Sequence, residues 1–265
     1  MTKFSIVTSK TLKALSALFL CLFIFSCQQK EEWIELFNGE NLDGWAPKIT
    51  GYALNDNYKN TFRVEDGFLT VNYDGYDNFD QKFGHIFYKE KFSNYLLRIE
   101  YRIIGEQIAG GPGWAFKNSG VMLHSQSPES MGLNQDFPIS IEVQFLGGNG
   151  TDDRPTGNLC TPGTNVDMDG KLVTQHCIAA DAPTYHGEEW VKMDVLVKGN
   201  ELIAHIIEGD TVIQYTNPAI GGGSVNNYDE TVMIDGKRLS EGYISLQSES
   251  HPIQFRTVKL KKLED

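Results

Sequence analysis

Alternation of apolar and polar residues over short segments is the feature that most limits how this chain can fold. A period of two is typical of β-strands with one buried face, and the helical period is almost absent after about residue 33. The segments predicted as strands are 95–103, 119–125, 139–146, 190–197, 202–207, 211–215, 242–248 and 253–260. Many short strands, together with 26 glycines, predict an all-β fold, a jelly-roll β-sandwich of two antiparallel sheets.

Turns and one long insert interrupt this pattern. Gly199 with Asn200, and Gly209 with Asp210, separate consecutive strands and predict hairpin turns. The longest interruption, residues 147–183, is rich in Gly, Asn, Asp, Thr and Pro. A loop of this length in a compact domain is usually functional or crosslinked.

The first 26 residues have the pattern of a targeting signal. Lysines precede an apolar run at 15–25 that is too short to span a membrane. Ser26 and Cys27 then resemble a bacterial lipobox, in which the cysteine is acylated and becomes the new N-terminus. A plain secretory signal with a chance cysteine is the alternative. We expect a lipoprotein signal peptide at 1–26, a linker at 27–32 and one domain at 33–265.

The lipid would anchor the protein to the bacterial outer membrane, on its periplasmic or cell-surface side. Residues 28–32 (QQKEE) resemble a short acidic signal for export to the outer face, and a solvated linker is the alternative. The net charge of −12 argues against a nucleic-acid partner, since phosphate binding needs basic surface.

Two cysteines remain once Cys21 leaves with the signal and Cys27 takes the lipid. In an oxidising compartment Cys160 and Cys177 predict a disulfide, closing a loop of about 17 residues worth roughly 3 kcal/mol on the entropy model. A metal site is the rival interpretation because His176 adjoins Cys177, although zinc would need more soft ligands at set spacings.

Six motifs together resemble the 3-keto-disaccharide hydrolase family, formerly a family of unknown function, over residues 33 to 264. They are LFNGENLDGW (36–45), FKNSGV (116–121), IEVQ (141–144), GNLCTPGT (157–164), GYISLQSE (242–249) and PIQFR (252–256). The resemblance implies a concanavalin-like jelly roll and cleavage of 3-keto-glycosides, in some members by 1,2-elimination followed by hydration.

Elimination next to a ketone needs a base, an acid for the leaving oxygen, and a donor or cation at the enolate oxygen. In the strand at 139–146, Glu142 and Gln144 share one face, so an amide stands where β-glucan hydrolases of this fold carry a second carboxylate. This argues against double displacement on that strand and predicts Glu142 as base or metal ligand, with a sugar-binding or structural carboxylate as the alternative.

His124 and His251 lie in the family motifs and complete the predicted catalytic set with Glu142. Glu142, His124, Glu249 and His251 also offer ligands that suit a divalent metal cation, although no fixed-spacing metal motif is present. The residues predicted to bind substrate are Asn118, Gln144, Trp190, Gln247, Glu249 and Arg256. His85, His186 and His205 are expected to be structural, and Trp45 to lie in the core.

Two classes of function follow. The first is an enzyme that cleaves 3-keto-glycosides, by hydrolysis or by elimination plus hydration, and the second is a non-catalytic carbohydrate-binding protein on the cell surface. Titratable residues spread over several motifs favour the enzyme, because a binding module needs little more than an aromatic platform. Hydrolysis of unmodified β-glucans is a weaker third interpretation.

Overall fold

The computed structural model describes residue 1 and residues 32–264, so the predicted signal peptide and Cys27 lie outside the described residues. Among those described, no helix is long and apolar enough to cross a membrane. Seventeen strands are present: β1 (Ile34–Glu35), β2 (Trp45–Ile49), β3 (Phe62–Glu65), β4 (Phe68–Val71), β5 (Gly84–Phe92), β6 (Asn94–Ile103), β7 (Asn118–Ser125), β8 (Ile141–Leu146), β9 (Asn158–Cys160), β10 (Thr164–Met168), β11 (Lys171–Val173), β12 (Cys177–Ile178), β13 (Val191–Lys198), β14 (Leu202–Ile207), β15 (Asp210–Ile220), β16 (Gly242–Ser248) and β17 (Ile253–Lys262). Three single 3₁₀ turns accompany them, at Tyr58–Asn60, Gly113–Ala115 and Pro128–Ser130.

The strands form two antiparallel sheets. The ten-stranded sheet has the order β11-β10-β15-β14-β13-β6-β17-β4-β3, with β1 beside β17. The seven-stranded sheet has the order β12-β9-β8-β7-β16-β5-β2. Neighbours in both sheets are mostly distant in sequence, as in a jelly roll, and the predicted fold class is confirmed.

The hydrophobic core lies between the two sheets and uses every second side chain of each strand. Val143 and Phe145 of β8 and Leu246 of β16 face inward from the seven-stranded sheet. They meet Tyr101 and Phe255 of the other sheet, and the rings of Tyr101 and Phe145 stack with centroids 4.1 Å apart. Since the side chains of a strand alternate between its faces, the intervening residues of β8 must point away from the core.

One row of paired residues crosses the outer face of the seven-stranded sheet. Phe87, Ser245, Met122, Glu142 and Cys160 come from five adjacent strands and are register partners in turn. The neighbouring row includes His85 paired with Gln247, and Gly120 paired with Gln144. These rows place the chemically active side chains of the sheet on one surface.

The outer face of the ten-stranded sheet is instead covered by paired charges. Arg98 forms a two-pronged ion pair with Asp194, with both N–O distances 2.7 Å. Arg256 donates to Glu100 at 3.0 Å from the neighbouring strand. These charged side chains pair with one another on the ten-stranded sheet. The cleft described below lies instead over the seven-stranded sheet.

The predicted disulfide is confirmed: Cys160 and Cys177 are joined, with an S–S distance of 2.04 Å. They are register partners on β9 and β12, so the crosslink fixes the edge of the seven-stranded sheet. The rival metal interpretation of this pair is wrong, because both sulfurs are used by the bond.

Candidate active site

A cleft of about 490 Å³ opens over the outer face of the seven-stranded sheet. Its polar floor includes Asn118 of β7, Glu142 and Gln144 of β8, and Glu249, which follows β16. The other lining residues are Gln81, Phe83, Trp114, Asp136, Phe137, Cys160, Pro162, His176, Cys177, Ser224 and Asn226. The consecutive strands β7 and β8, and the residue that follows β16, thus supply the floor of one cavity.

Glu142 is the second residue of β8 and is only 6% exposed. Burial raises the pKa of this carboxyl to about 8, because the charged form is poorly solvated there. Space for the side chain comes from Gly120 on the adjacent strand. A Cβ at Gly120 would stand 2.8 Å from Oε1 of Glu142 and 3.0 Å from its Cγ. The absence of a side chain at Gly120 is therefore needed for this orientation of Glu142.

Glu249 is the second buried carboxyl of the cleft, 3% exposed, and its Oε2 has no hydrogen-bond partner in the described chain. Burial raises its pKa well above the ordinary value, and repulsion from the Glu142 carboxylate raises it further. Two acids coupled in this way lose their protons in separate steps. Over the interval between those steps, the pair consists of one carboxylate and one carboxylic acid.

An aromatic wall stands beside the carboxyl pair. Trp114 is 57% exposed and stacks on Phe83, with centroids 5.8 Å apart and planes inclined by 15°. Phe83 in turn packs on Phe137 at 4.9 Å. An exposed ring beside polar groups can receive the C–H face of a sugar while hydroxyls reach the floor.

Amide side chains supply the remaining polarity of the floor. Asn118 lines the cleft, and its buried Oδ1 has no hydrogen-bond partner in the described chain. Gln144 accepts a hydrogen bond from Asn158 Nδ2 at 2.9 Å, which orients it. Gln247 lies beside the cleft lining, fully buried, with neither amide atom paired within the described residues. Of the predicted binding residues, Asn118, Gln144 and Glu249 reach the cleft, and Gln247 lies on the same sheet face.

The structure does not bring His124 to Glu142, contrary to the sequence-based expectation. His124 has a φ of +48°, and the pairing of β7 with β16 shifts register beside it. This bulge breaks the alternation of the strand. The His124 ring consequently contacts Gly199 of the β13–β14 turn, with 2.9 Å between Nε2 and the carbonyl oxygen.

His251 is also outside the cleft lining. It is buried against Phe116, with ring centroids 5.4 Å apart, after Ser250 takes a φ of +85°. Burial and the positive charge of Lys117 lower the pKa of His251 to about 4. The predicted histidines therefore do not form a catalytic set with Glu142, nor a four-residue metal site with Glu142 and Glu249.

Trp190 and Arg256 are absent from the cleft lining and lie on the ten-stranded sheet, so the structure does not place these two predicted substrate-binding residues at the cleft. Arg256 projects from β17, where it pairs with Glu100 and lies 4.8 Å from the ring centroid of Trp190. Arg102 covers the same ring at 4.7 Å. The position of Arg256 at the end of the PIQFR motif does not indicate which face of the sheet its side chain occupies, because β17 shifts register between Phe255 and Thr257.

The cleft contains groups that the sequence analysis did not assign to it. Trp114 follows a glycine-rich loop without strand periodicity, and His176 lies in the insert beside the disulfide. Glu249 was considered as a binder and metal ligand but not as the partner of Glu142. Its position two residues after Gln247, on the same face of the strand, was the available signal. Among the described residues, no group of three or more His, Cys, Asp or Glu side chains is arranged to hold a metal ion.

Comparison with known proteins identifies the family and supports the fold. The sequence model of the 3-keto-alpha-glucoside-1,2-lyase-like domain matches residues 32–261. Two crystal structures of predicted glycosyl hydrolases from Parabacteroides distasonis ATCC 8503 are similar, each with a TM-score of 0.53. One is 18% identical and covers 88% of this chain and 100% of its own; the other is 20% identical and covers 89% and 96%. At this identity the two structures support the fold alone. No curated protein matches the sequence.

Proposed function

The chain belongs to the 3-keto-alpha-glucoside-1,2-lyase-like domain family, which is carbohydrate-active, and we propose that it cleaves 3-keto-glycosides by elimination across C1 and C2. The observation that carries this proposal is the buried, coupled pair Glu142 and Glu249 in a cleft with an exposed tryptophan. Hydration of the unsaturated product would complete a net hydrolysis.

The ketone at C3 determines what the protein must do. It acidifies the hydrogen on C2, so a carboxylate can remove that proton and leave an enolate. The electron pair of the enolate then forms the C1–C2 double bond and expels the C1 oxygen, which takes a proton from an acid. One proton enters the carboxyl pair and one leaves it, so the pair returns to its starting charge.

Glu142 is assigned as the base and Glu249 as the acid. The pKa of Glu142 is raised to about 8, whereas Glu249 is raised by burial and again by the charge on Glu142. In this assignment, Glu142 is the carboxylate and Glu249 is the carboxylic acid when the pair holds one proton. One carboxylate and one carboxylic acid on the same floor are the two groups that elimination requires.

Asn118 and Trp114 are assigned to substrate binding. Asn118 presents an amide beside the carboxyl pair and can donate a hydrogen bond to the enolate oxygen. Trp114 offers a ring face to the sugar. No step in this scheme requires a metal ion.

A chromogenic 3-keto-β-glucoside tests the function, with the unmodified glucoside as a paired substrate. Release of the aglycone from the keto sugar, and not from the glucoside, is the expected result. Equal release from both would favour an ordinary glycosidase, for which the two carboxyls also provide an acid and a second carboxylate. Binding of both sugars without release would favour the carbohydrate-binding alternative.

A lipid anchor at Cys27 is the second part of the proposal. The apolar run at 15–25, followed by Ser26 and Cys27, supports acylation and attachment to the outer membrane. A surface or periplasmic location would place the cleft where exported glycosides are encountered.

A further inference from the structure

His176 lines the cleft, and the proposed reaction gives it no role. The residue is exposed, whereas four other histidines are at most 1% exposed: His85, His124, His205 and His251. In the described part of the chain, hydrogen bonds reach the backbone carbonyl of His176 but neither nitrogen of its ring. An exposed imidazole without a partner is available to a molecule bound in the cleft.

The ring of His176 can both donate and accept a hydrogen bond. Its surroundings remove part of its hydration, and this desolvation lowers the pKa below the ordinary value for histidine. The ring is therefore neutral at pH 7, with a proton on one nitrogen and a lone pair on the other. A sugar hydroxyl, which also donates and accepts, is a matching partner for such a ring.

The backbone on both sides of His176 is fixed. Thr161 donates two hydrogen bonds to the His176 carbonyl, from its backbone N–H at 2.8 Å and from Oγ1 at 3.2 Å. The next residue, Cys177, is joined to Cys160 by the disulfide, and its carbonyl accepts from Gln175 Nε2 at 2.7 Å. His176 is thus held in place before a ligand binds, which reduces the entropy lost on binding.

The strands determine the order of these groups across the floor of the cleft. Glu142, Cys160 and Cys177 are register partners on the adjacent strands β8, β9 and β12. Neighbouring strands lie about 4.8 Å apart, so the backbones of Glu142 and Cys177 are separated by roughly 10 Å. Glu249 follows β16, which lies on the other side of β8. The order is consequently His176, then Glu142, then Glu249.

This order sets the orientation of the sugar if the proposed reaction is correct. Glu249 as the acid must lie at the C1 oxygen, and Glu142 as the base must lie at the hydrogen on C2. The carbons C3 and C4 continue the ring beyond C2, away from the leaving group, and therefore toward β9 and β12. The C3 oxygen is assigned to Asn118, so the next polar group along the ring is the C4 hydroxyl.

We propose that His176 is a specificity-determining residue, which hydrogen-bonds the C4 hydroxyl of the keto sugar. The proposal rests on the proposed function, since the positions of acid and base orient the ring. A protein group placed to pair with a substrate hydroxyl discriminates against an analogue that lacks it. His176 acts on the choice of substrate and takes no part in the proton transfers.

A chromogenic 3-keto-β-glucoside and its 4-deoxy analogue test this contact through kcat/KM for aglycone release. Wild type should prefer the sugar with the C4 hydroxyl by about tenfold, the value of one hydrogen bond. His176→Ala should lose this preference by slowing only the hydroxylated substrate. His176→Gln should retain part of it, because an amide also donates and accepts. Equal slowing of both substrates in His176→Ala would show a merely structural role and overturn the proposal.

Thr174→Ala is the matched control. Thr174 is exposed in the same segment and is absent from the cleft lining, so this variant should keep the preference of wild type. Loss of the preference in Thr174→Ala as well as in His176→Ala would indicate disturbance of the segment and contradict a direct contact.

Binding separates this proposal from the proposed reaction. Calorimetry with methyl glucoside and methyl 4-deoxyglucoside requires no cleavage, and wild type should bind the first about tenfold more tightly. This difference should disappear in His176→Ala. If the difference behaves in this way but the keto sugar is not cleaved, the elimination is refuted and the contact is supported. Equal affinity of wild type for the two glucosides, or no binding of either, would overturn the contact.

Discussion

Gly120 lies directly beside the carboxylate of Glu142, and a Cβ on Gly120 would come within 2.8 Å of Oε1. The two residues are on adjacent strands of the seven-stranded sheet, β7 and β8. The bare backbone at Gly120 leaves Glu142 room on the floor of the cleft. The orientation of Glu142 therefore depends on a residue with no side chain.

The variant Gly120→Ala should lower aglycone release from a 3-keto-glucoside by about 10²-fold or more. The methyl group would displace the Glu142 carboxylate, and proton transfer requires the base to lie at hydrogen-bonding distance from the proton. The φ of Gly120 admits alanine, but the new Cβ would also lie 3.0 Å from the Val143 carbonyl oxygen, so the denaturation midpoint of the variant is measured beside its activity. Gly223→Ala is the control: a Cβ there meets nothing within 4 Å. Equal activity of Gly120→Ala and wild type would disprove the steric role of Gly120.

The contribution of Glu142 to the stability of the protein should fall as the pH rises from about 4.5 to 8. Folding raises the pKa of Glu142 to about 8, so the folded state holds a proton there that the unfolded chain has released above about pH 4.5. Each such group contributes a slope of at most about 1.4 kcal/mol per pH unit. Glu142→Gln should reduce this dependence and stabilise the protein at pH 8, as measured by denaturant unfolding at several pH values.

Glu100→Gln provides a control of opposite sign. The Arg256 guanidinium lowers the pKa of Glu100, so its contribution is present at neutral pH and is lost on acidification. If Glu142→Gln shows the same dependence on pH as wild type, the buried carboxyl does not hold a proton in the folded state.

Reduction of the disulfide should impair the cleft as well as the fold. Cys160, Cys177 and the adjacent His176 all line the cleft, and the bond closes a loop worth roughly 3 kcal/mol. Cys160→Ser with Cys177→Ser should lower the denaturation midpoint and reduce aglycone release. A thiol assay on the denatured wild-type domain without Cys27 should find no free thiol, and a count of two equivalents would contradict the crosslink.

Replacement of Cys27 tests the anchor separately. Cys27→Ser should release the protein from the membrane fraction or leave it unprocessed, because the thiol is the acceptor of the lipid. Fractionation of cells by centrifugation, followed by electrophoresis, measures both effects. A variant that sediments and migrates like wild type would show that Cys27 is not lipidated.

The sequence predicted those strands whose two faces differ. β16 was predicted with its observed bounds, Gly242–Ser248, because apolar Ile244 and Leu246 alternate with polar residues in the sequence. β5, Gly84–Phe92, was missed because apolar residues follow one another at 86–88, which removes the alternation from the sequence. The short strands β9 to β12 were missed because their sequences are largely polar and do not alternate. Pairing with neighbouring strands, and the disulfide between β9 and β12, hold them in place.

The site was predicted in part for a related reason. Period two correctly placed Glu142 opposite the core, and it placed Glu249 on the face of Gln247. The same rule failed for His124, where a bulge reverses the side chain, and for Arg256, where β17 shifts register. Bulges depend on the partner strand, so the pattern of one strand cannot reveal them.

The most direct measurement of the central claim follows the hydrogen on C2 of the substrate. A 3-keto-glucoside carrying deuterium at C2 is treated with wild type or Glu142→Gln, and the mass of the first product is measured by mass spectrometry. An enzyme-free sample is the control for spontaneous exchange of the deuterium. Elimination by the Glu142–Glu249 pair predicts rapid release of a product that has lost the deuterium, slowed by at least about 10²-fold in Glu142→Gln. A cleaved product that keeps its deuterium, or equal rates for the two proteins, would contradict it.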